Sequence, residues 1–235
     1  MSLDTSKSRA AIFARIRANQ KRPGGISAAE REAVADYLAR HPAGPQPAFA
    51  AEAVADLKQR FRAMSERMSS TVDEVGTLGE APAAVARYLA AGSLGARAVV
   101  WPALAQLDWA GAGLQVEARP PRRDESNGSD TVGITGCFCA LAETGTLVLL
   151  SAPESPASNH LLPETHVALV PASRIVATME DAFALLRAER GGVQQMMPRA
   201  INMVSGPSRT GDIEQTIVLG AHGPFRVHIV VIGGA

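Results

Sequence analysis

The chemistry-bearing residues of this chain fall in three short stretches. The first is the turn Glu143-Thr144-Gly145-Thr146, set between two strongly apolar runs. A carboxylate beside such runs costs several kcal/mol unless it is paired or hydrogen-bonded. Glu143 is therefore either a carboxylate accepting backbone amides of its own turn or a nucleophile or general base in a cleft. The second stretch is Ser205-Gly206-Pro207-Ser208-Arg209-Thr210-Gly211-Asp212-Ile213-Glu214, directly after a strand-like run. Hydroxyls and free amides there can cradle an anion, with Arg209 as a bidentate fork. Asp212 and Glu214, read as the first turn of a helix, suit its dipole but would repel that anion. The alternative is a turn whose Ser205, Ser208, Thr210 and Asp212 side chains satisfy backbone amides, with Arg209 paired to an acid. The third stretch, Gly220-Ala221-His222-Gly223-Pro224, is a turn in which His222 is either an acid–base group or a solvated imidazole.

Other reactive residues give weaker patterns. His160, His166 and His228 lack the close spacing of metal ligands, so no metal site is expected. Cys137 and Cys139 are too near for an unstrained disulfide and too few for an iron–sulfur cluster. In a strand they would share a face, and they read as small buried residues of a reducing compartment. Gly111-Ala112-Gly113 lacks the third glycine of a dinucleotide loop, and no phosphate loop is present. A self-contained dehydrogenase is not expected, because hydride transfer needs a bound carrier.

Those stretches must be held by a domain of ordinary composition. The 235 residues are 46% hydrophobic and 20% charged, with a formal net charge of zero. No global field would gather nucleic acid or anionic membrane. All but three of the 23 basic residues are arginine, the signature of a GC-rich genome. No apolar run reaches the length of a membrane span, and the N-terminal residues lack the apolar core of a signal peptide. A cytoplasmic bacterial protein is the expectation.

The first helix is predicted over residues 5–20, with Ile12, Phe13 and Ile16 on one face, ended by Pro23-Gly24-Gly25. Ser27 and Glu30 have capping-box spacing and open a second helix through Arg40. After a proline-rich linker, Val54, Leu57, Phe61, Met64 and Met68 step along a third helix. From about residue 70 short strands alternate with helices. Strands are expected at 71–75, 98–101, 114–118, on both sides of Glu143, and at 166–170, 200–204, 216–219 and 225–232. Helices are expected near 82–91 and over 179–190, the latter capped by Thr178. The polar segment 119–130, with Asn127-Gly128, reads as a loop. Alternation of this kind predicts a mainly parallel sheet covered on both faces, with successive late strands adding an antiparallel portion.

Three groups of residues together resemble one family. They are Gly133-Ile134-Thr135 with Ala142-Glu143-Thr144-Gly145-Thr146-Leu147, then Leu161-Leu162-Pro163 with His166-Val167, then the 205–214 and 220–224 stretches. They are similar to the lactate utilization protein C family and its LUD domain, over about residue 70 to the C-terminus. The resemblance implies an α/β fold of the NagB/RpiA/CoA-transferase-like kind, a sheet flanked by helices, with an N-terminal helical segment and linker over 1–47 and the LUD-type domain over 48–235. It implies an accessory, non-redox role in a bacterial system that oxidises L-lactate to pyruvate. Two companion proteins would carry the iron–sulfur clusters, and this chain would hold no cofactor. A small organic acid is a possible ligand. Two other readings stay open on fold analogy: acyl transfer through Glu143, and a ligand-sensing module.

Overall fold

The computed structural model describes residues 4–21, 25–42, 44–45, 56–122, 129–190, 197–213 and 216–233. Val54, Pro23-Gly24, Asn127-Gly128 and Glu214 lie outside them. The chain divides into two compact units, Met1–Gln46 and Pro47–Ala235. The first unit holds α1 (Ser6–Asn19) and α2 (Ala28–Arg40). The capping box that opens α2 is formed: Glu30 N donates to Ser27 Oγ at 3.2 Å, and Ser27 N donates to Glu30 Oε2 at 2.9 Å.

The second unit is built on six parallel strands in the order β1 (Thr71–Val75), β12 (Arg226–Ile232), β7 (Thr165–Pro171), β4 (Val132–Thr135), β2 (Arg97–Val100), β3 (Gln115–Ala118). Strands of such a sheet are apolar on both faces because both are covered. Here residue parity decides which layer each side chain enters. Val167 and Leu169 of β7, with Val230 and Ile232 of β12, meet Ala84, Val85 and Leu89 of α4 (Ala81–Ala91). The alternate residues Ala168, Val170, Ile229 and Val231 face the other way.

That second face is covered by a smaller sheet and by α3 (Leu57–Arg67). The small sheet runs β8 (Ile175–Val176), β5 (Cys139–Leu141), β6 (Thr146–Leu150), β9 (Ile201–Val204). β5 pairs parallel with β8 and antiparallel with β6, which pairs antiparallel with β9. The antiparallel portion is thus a separate sheet built mainly from the strands around Glu143, not, as expected, from the successive late strands: of these only β9 joins it, and β12 runs parallel in the large sheet. Leu147 and Leu149 of β6 point to the large sheet, while Val148 and Leu150 point outward to Ala182 and Leu186 of α6 (Met179–Arg190). The layers are thus helix, six-stranded sheet, four-stranded sheet with α3, and helix.

Two expectations fail here. Cys137 lies before β5 and packs with the inner cluster, whereas Cys139 packs with the outer one, so the two thiols do not share a face. The segment holding Asp212 is not the first turn of a helix. It is β10 (Arg209–Ile213), a strand paired antiparallel with β11 (Thr216–Leu219). The ladder to β11 takes up the backbone groups that a helix would have bonded internally, with an irregularity between Thr210 and Ile213.

Candidate functional site

The site begins at the end of α3. Asp56 caps its start, its carboxylate accepting from Gln59 N at 2.9 Å. The helix stops in a paired C-terminal motif: Ser70 N donates to Ser65 O at 3.0 Å and Ser69 N to Glu66 O at 2.9 Å. Ser69 takes the left-handed position, φ 67°, which normally selects glycine. Its hydroxyl accepts from Arg209 Nη2, which gives a side chain a use there.

Two glycines bring the motif turns onto this helix end. Gly145, at φ +66°, lies so close that a Cβ would stand 2.4 Å from Ser65 N. Ser65 is fully buried, and its hydroxyl donates to Gly145 O at 3.4 Å. Gly206, at φ +77°, would place a Cβ 2.1 Å from Met68 O. Neither position admits a side chain without moving α3.

The two turns are also joined to each other. The register Leu147↔Val204 between β6 and β9 sets Thr146 opposite Ser205. Thr146 Oγ1 lies 2.6 Å from Ser205 Oγ and 2.7 Å from Thr144 Oγ1. Three hydroxyls in a row share two hydrogen bonds, so one O–H and several lone pairs remain for a ligand. Arg209, exposed in the same stretch as Ser205, bonds Ser69 and has no other side-chain partner among the described residues, which leaves N–H donors of its guanidinium for a ligand. Hydroxyls with a guanidinium suit a carboxylate or another small anion.

Glu143 has a different setting. It is 8% exposed, and its Oε1 accepts from Met179 N at 2.9 Å. The amide comes from the start of α6, not from the glutamate's own turn as expected. Thr178 and Asp181 complete that helix start reciprocally: Asp181 N donates to Thr178 Oγ1 at 3.2 Å, and Thr178 N donates to Asp181 Oδ2 at 3.0 Å. Glu143 thus offers a carboxylate to the positive end of a helix, where it is stabilised by the dipole.

The remaining stretches meet elsewhere. Ser208 N donates to Pro224 O and Gly220 N to Ser208 O, both at 2.9 Å, so Ser208 clamps the turn that carries His222. His222 is exposed and lines an open cavity of about 420 Å³ with Leu161, Leu162, Glu164 and Phe225. This region lies at the amino ends of β7 and β12, not at the carboxyl ends where ligand crevices of parallel sheets usually form. Thr210 pairs with Val218 in the hairpin, and Asp212 lies in the same strand. Gly133 and Thr135 support the second motif: a Cβ on Gly133 would overlap Asn159 O, and Thr135 Oγ1 lies 2.8 Å from His166 Nε2.

Burial holds three histidines and both thiols neutral. Burial pushes the His160 imidazole down to about 4. Burial, with the neighbouring His160, takes His166 to about 3. Burial also lowers His228 to about 4, against the pull of Asp73. His228 stacks on Tyr88 at 3.8 Å and shares a hydrogen bond with Thr71 Oγ1 at 2.8 Å. Burial raises the Cys139 thiol to about 11 and Cys137 further still, so both are protonated near neutral pH. Among the described residues no three His, Cys, Asp or Glu side chains group as metal ligands, and no helix is long and apolar enough to cross a membrane. No sequence pattern points to Ser65 or Ser69. A serine in a helix tail has no pattern that marks it as the seat of another loop's glycine.

Comparison with known proteins matches residues 45–232 to the model of the LUD domain. Lactate utilization protein C of Geobacillus kaustophilus is 41% identical over 103 residues, 43% of this chain and 42% of that protein. The Bacillus subtilis protein of the same name is 35% identical over 133 residues, 56% of this chain and 53% of its own length. The matched part of this chain spans about half the length of these curated relatives. A crystal structure of a DUF162-family protein from Deinococcus radiodurans superposes with a TM-score of 0.52 and 25% identity, covering 75% of this chain and 96% of that one.

Proposed function

This chain belongs to the LUD domain family, and from that premise we propose that it serves lactate utilisation as a non-redox accessory subunit. In this reading it works in the cytoplasm with two iron–sulfur companion proteins that carry the electrons from L-lactate to pyruvate. The observation that carries the proposal is the junction of the two motif turns through Thr144, Thr146 and Ser205, beside Arg209 and Ser69. A 2-hydroxy acid and its 2-oxo product share a carboxylate, and this junction offers that group a fork of N–H donors and hydroxyls. The two electrons released on oxidation need a carrier. Two cysteines are too few for a four-cysteine cluster, so the clusters are assigned to the companions.

Glu143 is a positioning residue in this reading. Acylating its carboxylate would weaken the acceptor on which Met179 N depends, at the start of α6. The test is genetic. Deletion of the gene should abolish growth on L-lactate as sole carbon source and leave growth on pyruvate intact. Complementation with wild type should restore it, and Arg209→Ala should not. Normal growth of the deletion strain on L-lactate, in a genome with no second lactate oxidase, would refute the proposal.

A further inference from the structure

The open cavity of about 420 Å³ beside His222 is distinct from the hydroxyl junction, sharing none of its side chains. Its volume is within the range of small-molecule pockets, and a three-carbon acid would leave most of it empty. Leu161, Leu162 and Phe225 line it and are 39%, 40% and 44% exposed, so the fold leaves three large apolar side chains around one hollow. The Arg226 guanidinium lies 4.8 Å from the centroid of the Phe225 ring and braces it. The turn beneath is fixed by Ser208, and Gly220, at φ +77°, would bring a Cβ to 3.1 Å from Phe225 Cβ. Bulk at that glycine would displace the ring. Glu164 and His222 line the same space, and neither side chain has a hydrogen-bond partner among the described residues. The amides of Ala221, His222 and Gly223 likewise have no acceptor among them.

We propose that this cavity binds a ligand of the nucleoside class. The planar base lies against Phe225 between the leucines, where ring stacking adds to apolar burial. The vicinal sugar hydroxyls donate to Glu164, since an ionised carboxylate has acceptors only. A phosphate, where present, meets the free turn amides. A fatty acid would set its carboxylate against Glu164, and an apolar peptide side chain would leave both polar groups unmatched. The proposal goes beyond the lactate reading and does not depend on it, because its readout is binding to the purified chain.

The test is calorimetric titration of the full chain with adenosine, AMP and 2′-deoxyadenosine, with L-lactate as competitor. Saturable adenosine binding is expected, weakened at least tenfold by Phe225→Ala and about fivefold by Glu164→Gln, with the fold intact by circular dichroism. Removing the 2′-hydroxyl should weaken binding to wild type and have no further effect on Glu164→Gln. AMP binding tighter than adenosine would assign the turn amides to phosphate. No saturation by adenosine or AMP up to about 10 mM, well above ordinary ligand affinities, would overturn the proposal. So would binding unchanged by Phe225→Ala, or full displacement of adenosine by L-lactate.

Discussion

Acidification should destabilise this protein before its carboxylates titrate. His160, His166 and His228 are buried, with pKa values lowered to about 4, 3 and 4. In the unfolded chain each returns to about 6.5. The native state therefore binds fewer protons than the unfolded state across the interval between those values. Stability from the three neutral rings is fully present above about pH 6.5 and is lost as pH falls toward 4. The limiting slope is ~1.4 kcal/mol per pH unit for each ring, or ~4 kcal/mol per unit for three. At pH 5 the accumulated loss is ~2 kcal/mol per histidine, ~6 kcal/mol in all, against a total of ~5–15 kcal/mol for a domain. Urea unfolding at pH 7.5, 6.0 and 5.0 measures this directly, provided the denaturant slope stays constant. His160 makes no side-chain hydrogen bond among the described residues, so His160→Leu removes one titration and should flatten the pH slope by about a third. A pH 5 stability within about 1 kcal/mol of the pH 7.5 value would refute the reasoning, since the rings would then be hydrated and free to protonate.

Three substitutions check the geometry of the candidate site. Gly145→Ala should destabilise by about 2–5 kcal/mol, from left-handed strain and overlap with the α3 backbone, read by urea unfolding. A loss under about 1 kcal/mol would mean that α3 is not seated on this turn. Ser69→Gly should raise stability by up to about 1 kcal/mol, because glycine relieves the left-handed position, while weakening any anion binding that Arg209 supports. Glu143→Gln keeps an acceptor for Met179 N and should cost about 1 kcal/mol or less, whereas Glu143→Ala removes the cap and should cost about 1–2 kcal/mol by thermal unfolding.

Much of the scaffold was legible because its elements are locally consistent. Ser27 and Glu30, and Thr178 before Met179, announce helix starts through side chains that bond the first amides, and both caps are formed. The runs on either side of Glu143 are strands because apolar residues there serve two cores at once. Non-local features were hidden. Arg209–Ile213 holds one apolar residue in five and carries no alternation, so nothing in it distinguishes a hairpin strand from a polar turn. The partner strand, and not local propensity, decides its state. Of the stripe expected on α3, Phe61 is buried but Met64 and Met68 are only partly so, and the other buried residue is Ser65, which lies outside the stripe. Ser65 is there because the Gly145 backbone needs a small neighbour, a fact written 80 residues away. The hydroxyls of Thr146 and Ser205 were each visible as polar residues of a turn. Their meeting depends on the register of β6 and β9, which pattern alone does not carry.

The most direct test of the account is reconstitution. The two iron–sulfur companion proteins that the proposal calls for should be purified anaerobically and assayed for L-lactate oxidation, with pyruvate measured as product and a soluble dye as electron acceptor, with and without this chain. The account predicts that turnover requires the wild-type chain. It also predicts that Ser205→Ala and Arg209→Ala, folded as judged by thermal unfolding, lower it at least tenfold. Full turnover by the companions alone would contradict the central claim.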